Sequence, residues 1–182
     1  MLQCRSLVLC AGMKKQLLAV LVLTLTGLLA LLHGQNPKPL RAQLVGTWRL
    51  VSSTQTLGDG SSRPDPQTGQ KGVGYLIYTQ SGRVCVVVAN PDRSRWASVQ
   101  APTGEDLRNA FDGLVAYAGT FEVNEAEQSV VHHIEVDRVP NSTGTDRKRF
   151  FSFSGDRLLL RAAAPLPKDV TEWTIIWQRV GM

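Results

Sequence analysis

From residue 44 onward the chain reads as short runs of alternating apolar and polar residues separated by turn-forming ones, a period of two that argues for strands. Residues 44–55 carry the first strand, and residues 57–71, rich in Gly, Ser, Pro and Asp, predict a long loop. Two strands, 72–79 and 83–89, flank Gln80-Ser81-Gly82, a hairpin signal. Residues 90–102 are irregular, with at most a short strand around Trp96. Thr103 and Asp106 have the spacing of a capping box, which predicts one helix running to about Gly113. Strands at about 115–123, 128–137, 145–154, 156–163 and 171–180 complete the count. Eight or nine mostly hairpin-connected strands and one short helix predict an all-β, antiparallel barrel in a single domain.

The residues before 44 do not follow this pattern. Residues 17–32 carry no charge, follow Lys14-Lys15 and precede His33-Gly34, the layout of a signal peptide. This assigns 1–34 as a signal peptide, with Met13 a candidate start, and 35–182 as the barrel domain, periplasmic or secreted. An uncleaved leader is the one route to a membrane, although its run of 16 uncharged residues falls short of the roughly 20 that a span needs. Cleavage takes three of the 20 basic residues and none of the 15 acidic ones, leaving 17 against 15, or +2. Such a mild charge does not argue for nucleic acid as a partner. Cys4 and Cys10 leave as well, so Cys85 alone remains and no intrachain disulfide forms. Cys85 between two valines reads as a small buried hydrophobe. An exported chain without disulfides fits a bacterial periplasm better than a eukaryotic secretory route.

Gly46-Thr47-Trp48 on the first strand and Arg179 on the last bracket the domain. The glycine lets the chain pass tightly under the barrel floor, the indole plugs that floor, and the guanidinium can lie across its face. The three are the expected closure of the barrel.

Alternation also says which side chains point inward. In 128–137 the apolar face holds Val130, His132, Ile134 and Val136, leaving Ser129, His133, Glu135 and Asp137 outside. In 145–153 Arg147, Arg149, Phe151 and Phe153 share the inner face, and in 115–123 Tyr117, Gly119, Phe121 and Val123 do so. Tyr117, His132 and Arg149 then face one cavity from consecutive strands. A buried arginine needs an acid or an anionic ligand. Glu122 or Glu172 could supply the acid if the registers shift by one, and His132 could be no more than a hydrogen-bonded core residue.

The ordered set Leu44-Val45-Gly46-Thr47-Trp48-Arg49-Leu50, Gly74-Tyr75-Leu76-Ile77-Tyr78, Gly82-Arg83, Tyr117-Ala118-Gly119-Thr120-Phe121, His132, Gly155-Asp156-Arg157-Leu158 and Trp177-Gln178-Arg179 resembles the lipocalin-like domain family from about 41 to 180. The resemblance implies a calycin-type barrel with an internal cavity. It does not fix a function, because many members are uncharacterised bacterial proteins. The chain departs from the true secreted lipocalins in lacking their T-D-Y motif, and it has no fatty-acid-binding-protein helical pair.

Two function classes remain. The first is an exported, non-catalytic binder of a small hydrophobic or amphiphilic molecule, with Tyr117, His132 and Arg149 orienting a carboxylate, hydroxyl or carbonyl. The alternative is an isomerase, cyclase or hydrolase with His132 as the candidate catalytic acid or base, Tyr117 as proton donor and Arg149 stabilising an anion. A third, an assembly module, rests only on Trp96 and Trp173 if they are exposed. His132 and His133 lie on opposite faces of one strand and cannot share a metal there, and no phosphate loop, nucleophile elbow or dinucleotide fingerprint occurs, so no metal or cofactor is expected.

Overall fold

The computed structural model describes residues 38–181, so the assigned leader lies outside the described residues. A five-residue helix, α1 (Leu40–Leu44), leads into β1 (Gly46–Leu57). There follow β2 (Ser62–Pro64), β3 (Val73–Tyr78), β4 (Arg83–Ala89), α2 (Gly104–Asp112), β5 (Leu114–Asn124), β6 (Ser129–Asp137), β7 (Asp146–Ser154), β8 (Arg157–Ala162) and β9 (Val170–Arg179). Each strand from β3 to β9 pairs antiparallel with the next, and β9 returns to β1, closing an eight-stranded barrel. The ninth strand, β2, lies within the segment expected to be loop and pairs with the far half of β1. The near half of β1 pairs with β3. Around Trp96 no strand forms.

The alternating burial of β3 and β4 shows the predicted period, with Leu76, Tyr78, Val84, Val86 and Val88 inside. Cys85 falls on the other phase: it is half-buried on the outer side, opposite Ala118, and not in the core. The helix α2 is capped as expected, Thr103 accepting from the Asp106 amide while the Asp106 carboxylate accepts from the Thr103 amide.

The floor is built by the bracket residues. The Trp48 indole donates to the Leu44 carbonyl at 2.8 Å, and the Arg179 guanidinium lies 4.0 Å from the ring centroid. Arg179 also donates to the carbonyls of Val45, at 3.0 Å, and Gln43, tying α1 across the end of the barrel. Gly46 has φ 141°, and a Cβ there would sit 2.7 Å from Arg179 Nη1, so both backbone and space call for glycine.

One irregularity alters the inner face. Between β5 and β6 the register jumps, with Ala118 opposite Val136 but Gly119 opposite Ile134. Glu135 is the extra residue of this β-bulge, and beyond it the alternation inverts. Val136, expected inside, is 60% exposed, while the Asp137 side chain, expected outside, is only 4% exposed. Gly119 permits the close approach, because a Cβ there would lie 1.9 Å from the His133 carbonyl oxygen.

Candidate cavity site

Above the floor the barrel encloses a cavity of about 250 Å³. Its wall is largely apolar, from Leu50, Leu76, Val86, Val88, Leu160 and Ile175, interrupted by a few polar groups. An engineered cavity of about 150 Å³ takes benzene, so this one has room for a molecule of one or two rings.

The central polar group is His132, which is 1% exposed. Its Nε2 lies 2.7 Å from the Tyr78 hydroxyl and its Nδ1 lies 3.0 Å from the Tyr117 hydroxyl. β5 and β6 are neighbours and β4 separates β3 from β5, and each of the three turns an inner-phase residue to the same point of the interior. Burial, reinforced by the charges of Arg149 and Arg147, lowers the His132 pKa to about 3, so the ring is neutral at ordinary pH. Burial likewise raises both tyrosines, which stay protonated.

Two arginines of β7 flank this chain. Arg147 pairs with Asp137 at 2.6 Å and stacks 4.5 Å from the Tyr117 ring centroid. Its acid is thus the residue that the bulge turns inward, whereas Glu122 and Glu172 stay exposed at the surface. Arg149 is half-buried and spends one N–H on the Lys148 carbonyl at 2.9 Å. Among the described residues no carboxylate lies within ion-pair distance of it. Burial lowers its pKa. Arg147, Arg149 and Trp173 also line an outer groove shared with residues 162–167 of the β8–β9 connection.

The opposite polar wall comes from the segment after β2. Asp65, 2% exposed, accepts from the Gln67 amide at 3.0 Å and from Ser53 Oγ at 3.2 Å. Ser53 in turn accepts from the Trp173 indole at 2.9 Å. Burial raises the Asp65 pKa. Trp173 is therefore a half-buried cavity residue, and Trp96 is half-buried too, so neither offers the exposed patch that an assembly module requires.

The structure brings Tyr117, His132 and Arg149 to one cavity, and Gly46, Trp48 and Arg179 to the floor beneath it. Sequence reasoning does not assign Tyr78 or Asp65 to the site, and it puts Asp137 outside the barrel and Trp173 on an exposed patch. The inward phase of β3 could have identified Tyr78. Asp65 lies in a segment without periodicity, and Asp137 is hidden by the bulge. Among the described residues no cluster of His, Cys, Asp or Glu is arranged to hold a metal ion, and no helix is long and apolar enough to cross a membrane.

Among solved structures, a point mutant of the fluorescent protein UnaG is similar over 76% of this chain and 96% of its own, at 15% identity and a TM-score of 0.34. A search of curated proteins found no match. The profile of the lipocalin-like domain matches residues 45–180, from the strand that carries Trp48 to the residue after Arg179. The chain therefore belongs to the lipocalin-like domain family.

Proposed function

We propose that this protein is exported and binds a small hydrophobic or amphiphilic molecule inside its barrel, with the polar end of the ligand against Tyr117, His132 and Arg149. The observation that carries the reading is Arg149: a cation on the wall of a mostly apolar cavity, with no carboxylate among the described residues in ion-pair reach. Desolvating a charge without a partner is costly, and an anionic or acceptor-bearing ligand removes that cost. The apolar wall supplies affinity, at roughly 25 cal/mol for each Å² of apolar surface buried.

His132 is a poor candidate for proton transfer. Both ring nitrogens are engaged by tyrosine hydroxyls, and a pKa of about 3 leaves almost no imidazolium at neutral pH. Its role in this reading is to fix the tyrosines. Export rests on the leader pattern of residues 1–34, and places the protein in the periplasm or outside the cell.

Native mass spectrometry of the protein purified gently from its source tests both parts. The expected result is a chain beginning near Gln35 that carries a reproducible extra mass, lost on Arg149→Ala. A chain retaining its leader would overturn export. A bare polypeptide that takes up no amphiphile would overturn binding.

A further inference from the structure

The Tyr78–His132–Tyr117 chain has a direction that can be read from what each hydroxyl lacks. Tyr78 is 1% exposed, and its hydroxyl makes one hydrogen bond, to His132 Nε2. If Nε2 carried the proton, the Tyr78 hydroxyl hydrogen would be buried with no acceptor, whereas a hydroxyl oxygen without a donor is cheaper to bury. Tyr78 therefore donates to Nε2, and the proton of the neutral ring sits on Nδ1. Nδ1–H donates to the Tyr117 oxygen, and the Tyr117 hydroxyl hydrogen is left with no acceptor among the described residues. Tyr117 lines the cavity. Among the described residues two further lining groups are also donors in excess: Arg149, with one N–H used, and Trp177, 3% exposed, whose indole N–H has no partner there. Asp65 does not offset them. It is held by its own turn and by Ser53, and the charge that acts on it is Arg63 rather than Arg149.

We infer that Tyr78, through His132, fixes Tyr117 as a donor into the cavity, and that this wall, together with Arg149, selects a carboxylate of one or two rings over the matching alcohol or neutral carbonyl. The inference rests on the binding reading above and narrows it to one ligand class. It makes Tyr78, which is not among the residues lining the cavity, a positioning residue for specificity. A carboxylate oxygen accepts from Tyr117 and Arg149 at once and brings no hydrogen of its own. An alcohol has one neutral oxygen to offer the same donors and no charge to set against the Arg149 guanidinium.

Two measurements test this. Nitrogen-15 NMR of the His132 ring in the ligand-free protein is expected to show a protonated Nδ1 and a bare Nε2, and a proton on Nε2 would overturn the directionality. Calorimetric titration with 2-naphthoate and with 2-naphthylmethanol is expected to favour the acid by about tenfold or more, the worth of one charge-assisted hydrogen bond. Tyr78→Phe, or Tyr117→Phe where the first does not fold, is expected to shrink that preference, the acid losing more affinity than the alcohol. Equal binding of acid and alcohol by the unmodified protein, or a preference untouched by both tyrosine variants, would overturn the carboxylate inference and leave the binding reading standing. Binding of neither probe would remove both.

Discussion

His132 links folding to acidity at the scale of one residue. Its folded pKa of about 3 lies below the ordinary 6.5, so the unfolded chain binds the extra proton between those values. The stability contributed by the neutral ring is complete above pH 6.5 and is lost as pH falls, at about 1.4 kcal/mol per unit within the window. Asp65, raised by burial, acts in the opposite sense just above its ordinary 3.8. Denaturant titrations from pH 7 to 4.5 are expected to show stability falling by on the order of 2–3 kcal/mol, with the slope flattened in His132→Gln. An unchanged slope in that variant would place the acid sensitivity elsewhere. Arg149 gives a second, opposite-signed test. Replacing a half-buried cation without an acid partner by Arg149→Met is expected to raise stability by about 1 kcal/mol while weakening anion binding. A loss of stability would mean that the guanidinium is a structural element of β7 instead.

The decisive element is the β5–β6 pair, because its bulge decides which acid meets which arginine. Gly119→Ala places a Cβ against the His133 carbonyl and is expected to cost about 3 kcal/mol or more. The same substitution is expected to displace Tyr117, two residues away, so that ligand uptake falls even where the variant still folds. Loss of stability with uptake intact would separate the bulge from the site. This pair also shows what the sequence could and could not convey. The strands, the capped helix and the inward phase of Tyr117, His132, Arg147 and Arg149 follow from local alternation and turn chemistry, which the chain writes residue by residue. A bulge has no such signature: one extra residue leaves the composition unchanged but inverts every position beyond it, and Val136 and Asp137 exchanged sides accordingly. Cys85 and Trp173 were misplaced for a related reason. β4 is apolar on both phases, so its pattern does not say which phase is inside, and the exposure of Trp173 depends on a partner 120 residues away in sequence, Ser53.

The whole molecule depends on the seam where β1 meets β9, and Arg179 tests it. Arg179→Met removes the contact over Trp48 and the hydrogen bonds from the guanidinium to the Val45 and Gln43 carbonyls, an expected cost of about 2–4 kcal/mol by denaturant unfolding. The seam also sets the order of assembly. Strands β3 to β9 form a meander in which every pairing is between neighbours in the sequence, and these can zip up locally. The seam joins Trp48 to Arg179, 131 positions apart, so the first strand to leave the ribosome waits for the last before its second edge is covered. Closure is therefore expected late on the folding path, and stopped-flow kinetics can show it. Arg179→Met should mainly accelerate unfolding and leave refolding nearly unchanged. Refolding slowed in proportion to the lost stability would instead place the seam in the nucleus. Until closure, β1 is an open edge, and a chain truncated anywhere within β9 is expected to remain a sheet with an unpaired border, prone to self-association rather than partly functional.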